Sequence, residues 1–166
     1  MKTNKKNGFT LIELIMVMII LGIMAAVAIP RYLETIQKSE VASEDAVVNN
    51  IVVALENYAQ NKMLSEGRRY WPSNPFDALV TKPQSYSLEG TPCDEDNEWT
   101  FVVDASDGAF TGYISHQRAD NSRFQWNYNK GINTGTDNDA TGTLYKRSDL
   151  GTGAVSYTHL TLPTKA

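Results

Sequence analysis

The chain is short of cysteine and histidine, and over one long stretch it has almost no charge. Cys93 is the only cysteine among 166 residues, so the sequence as it stands forms no intramolecular disulfide. Of the two histidines, His159 lies in a C-terminal segment that reads as foreign, which leaves His116 on a strand-like run. A lone strand histidine is far more often surface or satisfied core than a catalytic base, and no residue constellation for hydrolysis stands beside it. The chain therefore reads as a non-enzyme with no cofactor. A basic face is missing as well. From Arg31 to Gly153 there are eleven Lys/Arg against eighteen Asp/Glu, a net of −7. Phosphate binding needs clustered cations, so direct binding of nucleic acid is not expected.

What is present begins with an apolar run. Phe9 to Ile29, FTLIELIMVMIILGIMAAVAI, carries one charge, Glu13, in twenty-one residues. That length suits a helix crossing the hydrocarbon core of a bilayer. A carboxylate within such a span costs about 2.5–3.5 kcal/mol on insertion scales, so it calls for a partner. Upstream lies a leader, residues 1–8, with Lys2, Lys5 and Lys6 and no acid. A basic leader before an acidic remainder puts the N-terminus in the cytoplasm and the rest outside. If the chain were cut after Gly8, the new α-amino group of Phe9 would be a cation at the membrane surface. Glu13 then reads as half of an ion pair whose other half is made by proteolysis.

Beyond Pro30 the spacing predicts that the helix continues. Leu33, Ile36, Val47, Val48, Ile51, Val52, Leu55, Tyr58, Ala59 and Met63 recur at intervals of three and four, with Lys38, Glu40, Glu44, Asp45, Asn49, Glu56 and Gln60 opposite. Gly67 suits the left-handed position after a helix end, so one helix is expected over 9–65. Gly22 weakens a helix by about 1 kcal/mol relative to Ala, and Pro30 removes a backbone donor, so Gly22–Pro30 is either a stretch able to loosen under load or the ordinary share of glycine and proline in a membrane helix. Asn74-Pro75 predicts a capped short helix over 75–80. Three strand-like runs follow, centred on Trp99–Asp104, Phe110–Ser115 and Arg123–Tyr128, joined by turns at Ala105–Gly108 and Ala119–Ser122. Their aromatic face needs cover, and the striped helix over 47–63 is the available surface. The fold class is thus α+β, a long helix packed on an antiparallel meander of about three strands. The stretch 131–143 reads as an exposed Gly/Thr/Asn/Asp loop, and 66–153 as the exported globular domain.

Several other groups invite chemistry. Asp137 and Asp139, or Cys93-Asp94-Glu95-Asp96, offer oxygen ligands for Ca²⁺, although acidic loops are usually just solvated. Arg68-Arg69-Tyr70-Trp71 reads as packing of the helix end against the meander, with solvated arginines. The tail 154–166 holds Val155-Ser156-Tyr157-Thr158-His159-Leu160-Thr161-Leu162-Pro163-Thr164, the translation in one frame of a common transposase-type sequencing adapter. The expectation is that the native frame breaks off near Gly153, and a lost C-terminus could also have carried a partner for Cys93. Resequencing the locus tests this.

Lys5-Lys6-Asn7-Gly8-Phe9-Thr10-Leu11-Ile12-Glu13 resembles the type III signal of the type IV pilin superfamily, and the likeness runs on through Gly22 and Pro30-Arg31-Tyr32. It covers roughly residues 1–60. The resemblance implies cleavage between Gly8 and Phe9 by a membrane-embedded prepilin peptidase, which also N-methylates Phe9 from S-adenosylmethionine. It implies a subunit anchored in lipid in the bacterial inner membrane with its C-terminal domain in the periplasm. An assembly platform there would draw it into a filament of identical or related subunits. Glu13 would meet the Phe9 amine of a neighbour, and Gly22 and Pro30 would lie where the packed helix loosens. The filament is either a type IV pilus or the pseudopilus of type II secretion; the lack of a paired-cysteine loop leans towards the second. The rival is an ordinary secretory signal cut after Ala28, where Ala26-Val27-Ala28 has the small-x-small pattern. It would release a soluble protein, but Glu13 interrupts its apolar region.

Overall fold

The computed structural model describes residues 9–104 and 111–152. Helix α1 spans Leu11–Glu66 without a break and passes through Pro30. It stops where Gly67 takes a left-handed φ of 71° and donates its N–H to the Met63 carbonyl at 3.0 Å. The described residues divide after Glu44 into two compact units, so the last turns of α1, from Asp45, belong to the globular unit.

In the globular unit a single 3₁₀ turn covers Pro75–Ala78, shorter than the expected 75–80 helix, with Asn74 Oδ1 accepting from the Phe76 N–H at 3.0 Å. Five strands follow: β1 Tyr86–Ser87, β2 Trp99–Val103, β3 Gly112–Gln117, β4 Ser122–Asn129 and β5 Thr143–Thr152. They form one sheet in chain order, β1 parallel to β2 and the other pairs antiparallel. Phe101, Ile114 and Trp126 stand opposite one another across β2–β4, as do Trp99, His116 and Phe124. Side chains in such rows share a face, and this face closes over Ile51, Leu55 and Ala59 of α1 together with Trp71, Phe76 and Tyr128.

The expected meander of about three strands is corrected to five. β2, β3 and β4 match the aromatic runs, although β3 begins at Gly112; Phe110 and the turn 105–108 lie outside the described residues. β1 is two residues long and leaves no periodic signal. β5 is an exposed edge strand whose register against β4 slips twice, between Arg123 and Phe124 and between Trp126 and Tyr128. Each slip breaks a period-2 pattern, so its sequence does not read as a strand. Within 131–143 the loop reading stands, apart from one bridge between Ile132 and Ala140.

The helix stripe divides on inspection. Ile51, Leu55 and Ala59 are buried, and Val47 and Val48 are partly so, whereas Leu33, Ile36, Val52 and Met63 are exposed. Glu44, placed by its spacing on the polar side, is 1% exposed. The end of α1 is fastened by a polar cluster. Lys62 Nζ and the Tyr70 hydroxyl both lie 2.6 Å from the Glu66 carboxylate, and Arg68 reaches it at 3.3 Å. The bond from Lys62, then that from Tyr70, holds the Glu66 carboxyl down at about 2. Arg69 pairs with Glu56. The two arginines are therefore ion-paired rather than simply solvated, and Trp71 stacks on Tyr128 with ring centres 6.0 Å apart.

Candidate functional site

The chain enters α1 through a reciprocal cap. Thr10 precedes the first helical residue, and Glu13 sits three positions later. The Thr10 N–H donates to Glu13 Oε2 at 2.8 Å and the Thr10 hydroxyl to the same oxygen at 2.7 Å. In return the Glu13 N–H reaches Thr10 Oγ1 at 3.3 Å, and the Leu14 N–H reaches the Thr10 carbonyl at 3.2 Å. This is a capping box, which satisfies N–H groups that the first turn leaves without helical partners. The carboxylate also sits at the positive end of the helix dipole. The Thr-x-x-Glu spacing was available in the sequence. Weighing Glu13 against lipid alone, rather than against the helix terminus, passes over it.

Around the cap the surface is bare. Phe9 is 90% exposed, and the large apolar side chains from Leu11 to Ile29 are between 41% and 76% exposed. Among the described residues α1 is the one helix long and apolar enough to cross a membrane. Gly22 and Pro30 both lie within continuous helix, and a Cβ placed on Gly22 would meet nothing within 4 Å. Gly8 and the rest of the basic leader lie outside the described residues.

The remaining candidates serve the fold. His116 is 7% exposed, stacks on Trp99 with ring centres 4.1 Å apart, and its Nδ1 lies 2.9 Å from the Glu98 carbonyl. Cys93 is fully buried; its thiol donates to the Glu98 carbonyl at 3.2 Å, and burial pushes its pKa up to about 11. The Glu98 carboxylate accepts the N–H groups of Asp94 at 2.9 Å and Glu95 at 3.3 Å, so it works as a loop cap. Asp139 closes its loop in the same way. Its Oδ1 accepts the N–H groups of Thr134 at 2.7 Å and Gly135 at 3.2 Å and the Thr134 hydroxyl at 3.2 Å. Burial alone would raise its carboxyl, but the backbone at Thr134 and Thr136, the Thr134 hydroxyl and the charge of Arg68 hold it below the usual range. Asp137 is exposed on the same loop. No group of three His, Cys, Asp or Glu placed to hold a metal ion occurs among the described residues.

Comparison with known proteins falls on the same segment. The prokaryotic N-terminal methylation motif matches residues 3–29. The chain is 32% identical over 108 residues to the type IV narrow pilus major component PilA5 of Thermus thermophilus, an alignment covering 64% of this chain and 86% of that protein. The chain belongs to the type IV pilin superfamily. Other relatives of this pilin-like chain include the type II secretion system core protein G of Aeromonas hydrophila, 36% identical over 50% of this chain and 55% of that one. The type IV major pilin protein PilE1 of Neisseria gonorrhoeae is 36% identical over 48% of this chain and 45% of that one. Against these two the chain spans about half of the relative's length. No solved structure gives a significant match. Membership in the superfamily agrees with the α+β architecture and with an apolar N-terminal helix left uncovered within the subunit.

Proposed function

We propose that the chain is a structural subunit of a type IV-class filament, a pilus or a type II secretion pseudopilus, and not an enzyme. A prepilin peptidase cuts between Gly8 and Phe9 and methylates the new amine. The subunit then waits in the inner membrane, anchored by residues 9–29, with its globular unit in the periplasm. An assembly platform draws it into the filament, where Glu13 pairs with the Phe9 amine of a neighbouring subunit. Two opposite charges facing each other in an apolar bundle cost far less than either alone, so subunits out of register are penalised. Gly22 and Pro30 are where the packed helix gives way.

The observation that carries this reading is Glu13, the one charge on a helical run whose apolar side chains are otherwise uncovered. The membership in the superfamily and the methylation motif support it. The test is a pair of variants in the native host. Glu13→Leu is expected to insert and be cleaved but to yield few filaments, and Gly8→Val to remain uncleaved. Normal filaments from Glu13→Leu would refute the pairing. A mature chain that starts at Ile29 would replace the whole reading with a secreted protein cut by ordinary signal peptidase.

A further inference from the structure

We infer that the outer face of the sheet binds one ordered water as a structural ligand, beneath the loop 90–97. Thr100, Ser115, Gln117, Arg123 and Gln125 fall, by the alternation of the strands, on the face opposite the aromatic rows. A sheet face turned away from its core is ordinarily wet, yet Thr100 and Gln117 are each 1% exposed and Ser115 is fully buried. The loop is their cover. Cys93 donates its N–H to Ser115 Oγ at 3.3 Å, Arg123 Nη1 reaches the Cys93 carbonyl at 3.5 Å, and the Asn97 N–H donates to the Gln117 carbonyl at 2.8 Å. Five buried side-chain polar atoms lack a hydrogen-bond partner among the described residues. Three of them, Thr100 Oγ1, Gln117 Oε1 and Arg123 Nε, belong to this one face.

Their chemistry is complementary. Arg123 Nε–H can only donate, Gln117 Oε1 can only accept, and the Thr100 hydroxyl does either. Gln117 stands directly opposite Arg123 across β3–β4, and Thr100, opposite Ser115, is diagonal to Gln117. Opposed side chains start about 5 Å apart and diagonal ones about 7–8 Å. A water spans end atoms about 5–6 Å apart through two hydrogen bonds, which suits long side chains reaching inward from those positions. One water that accepts from Arg123 Nε–H and donates to Gln117 Oε1 and Thr100 Oγ1 satisfies all three groups, and about three partners is usual for an internal water. Turning the Gln117 amide over does not serve instead. Its Nε2 donates to Asn121 Oδ1 at 3.3 Å, and a flip would set two donors against each other at Arg123. The water joins β2, β3 and β4 beneath the loop that carries Cys93.

The experiment uses the full-length, detergent-solubilised chain, and the probe is water itself. In a rotating-frame Overhauser spectrum the Arg123 Nε–H should show a cross-peak to water whose sign is opposite to that of chemical exchange, the mark of a bound molecule. Thr100→Val supplies the second measurement. Valine keeps the β-branch and the shape but has no hydroxyl, so the water loses a partner, and the unfolding midpoint should fall by about 3–8 °C for a unit of roughly 100 residues. A stranded hydroxyl predicts the opposite sign, because valine would then remove a buried polar group that had no partner. A Thr100→Val midpoint equal to or above the parent's therefore overturns the inference, and so does a parent spectrum without the water peak. Should Thr100→Val fail to accumulate, the parent spectrum decides alone: the peak upholds the site and its absence removes it.

Discussion

Tyr128→Phe isolates one buried hydrogen bond that ties the irregular 68–98 stretch to the sheet. The Tyr128 hydroxyl donates to the Pro72 carbonyl at 2.7 Å, and both residues are buried. Phenylalanine keeps the stack on Trp71 and the edge contact with Phe101, whose ring centre lies 5.8 Å away. The change therefore removes the donor and leaves a buried carbonyl unpaired, a loss of about 1–3 kcal/mol. For a unit of roughly 100 residues that lowers the unfolding midpoint by about 5–15 °C. Trp71, Trp99 and Trp126 all lie in this core, so tryptophan fluorescence of the detergent-solubilised chain follows the transition. The same hydroxyl carries a pH signature. Burial pushes the Tyr128 phenol above its ordinary value of 10.0. With the folded pKa raised, its contribution to stability is complete below the unfolded value and is lost as pH rises through the folded one. The gap between parent and variant should thus hold steady at neutral pH and narrow above about pH 10. A midpoint change under about 2 °C, or a gap of constant size into strong alkali, would refute the reasoning.

Three further outcomes are expected from the globular unit. Glu66, held at about 2 chiefly by its bond from Lys62, should add stability that is complete above 4.5 and is lost as pH falls through about 2; acid titration of the midpoint should be flatter for Glu66→Gln. Gly142→Ala should unfold at clearly lower temperature or accumulate poorly, because the new Cβ would lie 1.7 Å from the Asn129 carbonyl oxygen in the β4–β5 connection. Cys93, buried with its pKa near 11, should resist a thiol reagent such as iodoacetamide at pH 8 in the native chain and react promptly in denaturant; fast labelling of the folded protein would contradict the burial.

The N-terminal methylation motif, matched over residues 3–29, was legible because its signals are local. Glu13 in an uncharged run, Gly8 before Phe9 and the basic leader each stand alone as residues at fixed spacing. What escaped was the second use of Glu13, since a capping box is judged against the helix terminus and the carboxylate drew notice as a charge in lipid. The central strands were legible for a different reason. β2 to β4 bury one face and therefore alternate. β5 buries little and slips twice in register, so neither hydrophobicity nor period marks it. His116 shows the limit in the core: its place on a strand was readable, but the ring stacked on it and the carbonyl beside it come from the β2 region, far away in sequence.

The apolar stripe of α1 contains more residues than the subunit uses, and periodicity cannot say which. Ile51, Leu55 and Ala59 are covered by the sheet, while Val52, Val53 and Met63 on the same turns are 37%, 59% and 53% exposed. From Leu11 to Ile29 every large apolar side chain is at least 41% exposed among the described residues. A contiguous exposed surface of this kind is unstable in water and must be met by lipid or by protein. On the reading proposed above, lipid covers residues 9–29 but not the helix segment packed under the sheet. On the proposed reading, a neighbouring subunit covers the exposed residues of that segment. Burial and exposure thus sort one hydrophobic pattern into two sets: Ile51, Leu55 and Ala59 hold the fold, and Val52, Val53 and Met63 stay at the surface.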